Sequence, residues 1–256
     1  MKKIVFHLLL TGFTMAAQSQ TNMLEGKRGI FYFGIGTHKA FYTRSDLHLE
    51  ANGNHSFDLT LEKLRAKDDF FLKKTGGAPQ YDYKMGYYSK QKNFGIEFNF
   101  DHVKYFVRKN QVARTVGTVD GEAVNAEIPI GFYVENFEHS DGANYALFNF
   151  VKWRRITKSN VRSKTDWVLK AGAGPVIPKT NSTIMGSRWD DRYKIAGYVL
   201  ALEAGLKYNF HKNFFIEPSF KGAWANYTHF LIKNGSGNQS WFSAQFILAV
   251  GTQFCH

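Results

Sequence analysis

Side chains on a β-strand alternate between its two faces, so apolar–polar alternation sustained over about ten residues leaves few folds open. This chain carries that alternation eight times. "GIFYFGIGTH" sets Phe31, Phe33 and Ile35 against Tyr32, Gly34, Gly36 and His38. "QYDYKMGYYSK" sets Tyr81, Tyr83, Met85 and Tyr87 against Asp82, Lys84, Gly86 and Tyr88. "FGIEFNFDHVKYFV" sets Ile96, Phe98 and Phe100 against Glu97, Asn99 and Asp101. A fourth strand runs through "NYALFNFVKWR", and a fifth through "WVLKAGAGPV" with Trp167 and Leu169 opposite Lys170. The sixth, "YVLALEAGLKYNF", opposes Leu200, Leu202 and Leu206 to Glu203 and Lys207. The seventh, "NFFIEPSFKGAWANY", opposes Phe214, Ile216, Phe220 and Trp224 to Glu217, Ser219 and Lys221. The eighth, "WFSAQFILAVGTQF", opposes Phe242, Phe246, Leu248 and Val250 to Ser243, Gln245 and Gly251.

The polar face decides the class. In a soluble sandwich the apolar face points inward and the polar face meets water. Here the apolar face is heavily aromatic, while the other is rich in glycine and in charges of both signs. A transmembrane barrel has that inverted distribution, with apolar residues toward lipid and a polar interior. Closing the barrel also pairs every backbone group in a solvent that offers no hydrogen bonds. The expectation is an all-β chain: an eight-stranded antiparallel transmembrane β-barrel with a polar, side-chain-filled interior and long extracellular loops.

Connection lengths point the same way. The links after the second, fourth and sixth strands ("KQKN", "RITKSNVRSKTD", "HKN") are short or modest, whereas those spanning about 39–78, 108–132, 177–192 and 227–239 are longer. Short turns on one side and long loops on the other place both termini on the periplasmic side and the long loops outside the cell. The first long link carries its own strand pair, "LHLEANGNHSFDLTLEKL", turning near "NGN".

The first residues, "MKKIVFHLLLTGFTMAAQSQ", read as a secretory signal peptide over 1–20, with a positive start, a short apolar run and small residues before the cut. The apolar run is too short to span a bilayer. Residues 21–256 then form one barrel domain in a bacterial outer membrane. The single cysteine, Cys255, excludes an internal disulfide. Twenty-three glycines against five prolines, with 16% aromatic residues, suit a chain built of strands. A net charge of +12 makes outer-membrane lipid and lipopolysaccharide the expected partners, with an envelope protein as a further candidate and no nucleic acid. No metal or cofactor motif occurs, so none is expected. Asn181-Ser182-Thr183 fits the glycosylation pattern by chance, and "GPVIPKTNSTIMG" is taken as the exit from the fifth strand. His38, His48, His55 and His229 are placed in or beside external loops, without ligand spacing.

"FDLTLEKLRAKDD", "GIEFNFDHVKY", "FEHSDGANY" and "GPVIPKTNSTIMG" resemble blocks of a group of small outer-membrane β-barrels of the Bacteroidetes type, across nearly all of residues 21–256. The resemblance implies the barrel, of the eight-stranded OmpA-like or PagL-like kind, and its place in the outer membrane. It implies no chemistry.

An eight-stranded barrel is only just wide enough for its own side chains. On the assigned faces Asp82, Lys84, Glu97, Asp101, Lys170, Glu203, Lys207, Glu217 and Lys221 point inward, five acids against four bases. Unpaired burial of charge costs several kcal/mol, so these residues are expected to close into a salt-bridged plug, with pairs such as Lys84–Glu97 and Lys207–Glu217.

"VENFEHSDGANY" is the one stretch with the residue types of nucleophilic chemistry. Ser140 supplies a hydroxyl, His139 or His102 an imidazole, and Asp141 or Glu135 a carboxylate. Lipid A deacylases of the PagL kind carry such a set on the outside of an eight-stranded barrel, and the stretch loosely resembles theirs. Against this, neighbours on a strand face opposite ways, so His139 and Ser140 can meet only across a bulge or turn. "SDG" supplies a turn that could equally order the rim. The preferred reading is a structural or surface-binding protein acting through its loops and basic rim. The alternatives are an outer-leaflet lipid A or phospholipid acyl hydrolase and a subunit of an envelope complex.

Overall fold

A computed structural model describes residues 29–68, 80–156 and 164–255. The expected signal peptide and the middle of the "RITKSNVRSKTD" link lie outside these residues. Seventeen strands are formed within them. In chain order they are β1 (Gly29–Tyr42), β2 (Ser45–Asn52), β3 (Ser56–Leu64), β4 (Ala66–Lys67), β5 (Tyr81–Ser89) and β6 (Phe94–His102). There follow β7 (Tyr105–Val107), β8 (Val112–Val119), β9 (Glu122–Pro129), β10 (Val134–His139), β11 (Tyr145–Arg155) and β12 (Lys164–Val176). The last are β13 (Asn181–Ile184), β14 (Ser187–Asp190), β15 (Gly197–Asn209), β16 (Phe214–Ile232) and β17 (Gly235–Cys255).

Eight of these strands, β1, β5, β6, β11, β12, β15, β16 and β17, pair antiparallel in that order, and β17 returns to β1 to close the barrel. One circuit of the register runs Thr252, Phe33, Met85, Phe98, Phe148, Ala173, Leu200, Trp224 and Phe242. It returns to β17 displaced by ten residues, from Thr252 to Phe242, so the strands are tilted to the barrel axis as closure requires. Nearly every residue of that circuit is apolar and faces outward. Phe150 and Leu202 are 71% and 69% exposed, and Phe31, Met85, Phe148, Trp167, Phe220, Phe242 and Phe246 are exposed as well. So large an apolar wall is stable only against lipid.

A membrane crossing needs about 9–11 tilted residues. β16 and β17 have 19 and 21, roughly twice that. The surplus is used. Beyond the barrel rim, the sheet continues from β17 through β2 and β3 to β8 and β9. A second sheet, β14-β13-β10-β7-β4, closes over it. The long connections expected as loops are therefore hairpins of a folded head. Residues 227–239, expected as a loop, are instead the far ends of β16 and β17 joined by a two-residue turn in which Asn234 has a φ of +57°. The "GPVIPKTNSTIMG" segment enters the β13–β14 hairpin, turning at Met185 and Gly186 with φ of +46° and +74°, the signature of a primed turn.

The head has a core of its own. Leu47 and Leu49 on β2 and Phe57, Leu59 and Leu61 on β3 follow the period of two and meet Tyr105, Val107, Val134, Phe137 and Ile184 from the second sheet. This core continues into the upper lumen through Leu147, Val199, Ala223 and Trp241. At the opposite, terminal end of the barrel, Tyr32, Tyr88, Val151, Trp153, Val168 and Phe215 form a smaller apolar layer. The polar part of the lumen lies between these two.

Candidate functional site

All nine charged residues placed inward by their alternation are buried in the lumen, all but Lys207 in its middle layer. Lys170 is at its centre, with its ammonium 3.0 Å from Glu97, 2.9 Å from Glu217 and 3.2 Å from Glu203. An ammonium has three protons, and Lys170 has a carboxylate for each. Lys84 lies 2.9 Å from Glu217 and 3.5 Å from Glu203. Lys221 lies 2.7 Å from Asp101 and 3.3 Å from Glu203, and it donates to Asn99 at 2.5 Å. Neutral donors add to two of the carboxylates: Tyr32 and Asn149 on Glu97, at 3.0 and 3.1 Å, and Ser219 on Glu203, at 2.8 Å.

Two of the expected pairs do not form. Lys84 stands in register with Asn99 rather than Glu97, and its chain reaches across the lumen to β16. Among the described residues Lys207 has no carboxylate within ion-pair distance. Its ammonium sits in the lower layer, 3.9 Å from the Trp153 ring centre, 4.0 Å from Phe215 and 4.7 Å from Tyr32. Its cross-strand neighbour Asp166 is engaged by Arg155 and Asn209.

His38 is a further correction. Rather than lying in an external loop it is buried in the lumen, its Nδ1 2.8 Å from Asp82, which faces Asp101 across the β5–β6 pair. The signal was available: His38 continues the inward series Tyr32, Gly34, Gly36.

Above the charges the lumen is shut by a column of rings. Tyr105 stacks on Trp241 at 4.0 Å, Trp241 on Tyr227 at 4.5 Å, and Tyr227 on His139 at 5.2 Å. Buried aromatic polar tips need partners. The Trp241 indole donates to Tyr145, Gln239 donates to the Tyr105 hydroxyl, and the Tyr227 hydroxyl donates to the Ala143 carbonyl.

The column locates the serine and histidine candidates. His139 ends β10 with its ring turned into the head core, its Nδ1 3.1 Å from Thr180. Desolvation holds its pKa down, at about 3, so the ring is neutral. Ser140 faces the other way and donates to Glu138 at 3.0 Å. Asp141 pairs with Lys179, and Glu135 accepts from the Gly186 amide at 2.9 Å. His102 stacks on Tyr81, with its Nδ1 2.8 Å from Asn144. The turn is made by Gly142, with φ +130°, whose amide donates to the His139 carbonyl at 3.3 Å. A Cβ there would lie 2.2 Å from the Asn144 side chain. Among the described residues Ser140 makes no hydrogen bond to a histidine. The five residues lie at the junction of head and barrel, each held by the contacts just given. Also among the described residues, no group of three or more His, Cys, Asp or Glu side chains is placed to hold a metal ion.

The fold is that of an outer-membrane-type barrel. Comparison with solved structures returns small barrels of that kind. Neisserial surface protein A is 7% identical over 88% of this chain and 97% of its own, with a TM-score of 0.35. Outer membrane protein OprG from Pseudomonas aeruginosa is 10% identical over 92% of this chain and 100% of its own, with a TM-score of 0.38. The N-terminal β-barrel domain of OprF from the same organism is 13% identical over 90% and 100%, with a TM-score of 0.32. The likeness is one of architecture alone. No family model and no curated protein sequence matches the chain.

Proposed function

We propose that this chain is a surface protein of a bacterial outer membrane, its termini periplasmic and its head in the external medium. It acts by presenting the head rather than by passing solutes through the barrel. The observation that carries this reading is the lumen. An apolar layer, a cross-braced ionic layer and a ring column follow one another along its axis, and buried charges held in several ion pairs do not part readily. The short turns at 90–93 and 210–213 lie at the terminal end, as periplasmic turns do, which supports the orientation.

The test uses cells and purified protein. An epitope inserted after Gly121, in the β8–β9 turn, is expected to be labelled on intact cells. The protein is expected to fractionate with the outer membrane and to leave planar bilayers silent. Lipid A from cells with and without the gene is expected to have the same mass. Steady ohmic current from the purified barrel, or labelling only after the cells are opened, would overturn the reading.

A further inference from the structure

At one edge of the head, β4, β7 and the turn that follows it enclose an open cleft of about 820 Å³. Lys67, Arg108 and Lys109 line it, together with the amides of Asn110 and Asn136. Lys63, Arg65 and Lys67 are exposed at alternate positions, while Leu64, Ala66 and Asp68 turn inward or partly inward. Arg65 and Lys67 follow one another at roughly 6.5–7 Å, as on an extended chain, whereas Lys63, with a φ of +54°, precedes them across a break in the strand. Arg65 is tied to the cleft, because its carbonyl accepts from the Arg108 amide at 3.0 Å. Gln111 clamps the same corner, accepting from the Arg65 amide at 2.8 Å and donating to the carbonyls of Arg65 and Arg108.

None of these five cations has a carboxylate within ion-pair distance among the described residues. Other lysines of the head do pair: the half-buried Lys179 with Asp141 and Asp190, and the exposed Lys194 with Asp191. The acid that lines the cleft, Glu138, accepts from Ser140. Along the cleft three cations, Lys67, Arg108 and Lys109, face one carboxylate, Glu138, with Arg65 exposed beside them, and this leaves a positive field facing solvent.

We propose that this cleft docks a linear anionic polysaccharide, and the proposal rests on the head being exposed to the medium. Cations spread along the cleft and its flank fit a chain with charges at intervals, rather than a single phosphate. Arginine and lysine take sulfate or carboxylate oxygens in charge-assisted hydrogen bonds. Asn110 and Asn136 offer amides to sugar hydroxyls. One half-buried ring, Phe106, lines the cleft, short of the series of aromatic platforms used for single-stranded nucleic acid.

The test uses the full chain in zwitterionic nanodiscs, titrated with dextran sulfate at about 0.15 M salt, where only close charges still act. The cleft variant carries Arg108→Glu with Lys109→Glu. A control carries the same charge change as Arg188→Glu with Lys233→Glu, near β14 at the opposite edge of the second sheet. Wild type and control are expected to bind alike, the cleft variant at least about tenfold more weakly, and neutral dextran not at all. Equal losses in both variants would reduce the effect to net charge and overturn the proposal. So would an absence of dextran sulfate binding, or binding only to an oligonucleotide or to anionic-lipid vesicles. Circular dichroism and heat-modifiable migration confirm folding of each variant. Labelling of the Gly121 epitope on intact cells reports separately on exposure of the head.

Discussion

The Lys207 ammonium lies 3.9 Å from the centre of the Trp153 ring, while Lys170, on the neighbouring strand, lies within 3.2 Å of three carboxylates. The two lysines share a lumen and a degree of burial, and their energetics are opposite. Lys207 faces three rings, and cation–π attraction of up to about 2 kcal/mol from each at most matches the several kcal/mol its burial costs. Without Lys170, Glu97 would be left with no cation, and Glu203 and Glu217 would share Lys84 and Lys221.

Replacing Lys207 with Met, which fills the same space without charge, is therefore expected to leave stability unchanged or raised. Lys170→Met is expected to lower it by about 3–5 kcal/mol, as when one partner is removed from a buried ion pair. Urea unfolding followed by tryptophan fluorescence compares them. A larger loss from Lys207→Met than from Lys170→Met would refute this assignment.

His139 gives the head a pH dependence. Its folded pKa of about 3 lies below the ordinary histidine value near 6.5, so between these the unfolded chain binds the extra proton. The stabilisation from a neutral ring is complete above about pH 6.5 and declines as pH falls toward 3, by up to about 1.4 kcal/mol per unit. His139→Phe keeps the stacking on Tyr227 and removes the titration. Its unfolding midpoint is expected to vary less between pH 7 and pH 4 than that of the wild type. Parallel pH profiles would count against a neutral, desolvated ring.

The barrel was legible because lumen and lipid impose opposite chemistry on alternate residues, and Asp82, Lys84, Glu97 and Lys170 stand where that period puts them. Which charge meets which was not, because Lys84 reaches Glu217 across the lumen and no local pattern records a contact between positions 133 apart. The head was half legible. Leu47, Leu49, Leu59 and Leu61 alternate plainly, yet the glycine- and asparagine-rich run at 233–238 reads as loop while forming a turn and strand. Ser140 and His139 have the residue types of a nucleophilic pair, and alternation along the strand already sets them on opposite faces. The turn at Gly142 that was to bring His139 and Ser140 together leaves them facing apart.

Asp68 fastens the second sheet to the barrel rim. Its buried carboxylate accepts from the Ala40 amide at 2.7 Å and from Gln80 at 3.1 Å, and it pairs with Lys39. Asp68→Ala strands the Ala40 amide and the Gln80 side chain, at a cost of about 1–3 kcal/mol for each buried group left unpaired. The expected consequence is local. Hydrogen exchange at Ala40 and Lys104, the latter held by Gln80, accelerates, while protection along β12 and β15 is unchanged. Uniform acceleration across the barrel would show Asp68 to be part of its global stability instead.

The ring column invites the view that it alone keeps the lumen shut, and the layering argues otherwise. Trp241→Ala removes the ring between Tyr105 and Tyr227 and leaves the Tyr145 hydroxyl without its indole donor. Loss of so large a buried ring costs about 3–5 kcal/mol. The ions beneath it are untouched: Lys221 remains on Asp101, and Lys84 and Lys170 on Glu217. A solute entering through the gap meets charges whose separation exposes several ions at once to a low-dielectric wall. Trp241→Ala is therefore expected to unfold at lower urea and still to carry no steady current in planar bilayers. Conductance from this single variant would mean that the ionic layer yields to water, and the seal would then belong to the head.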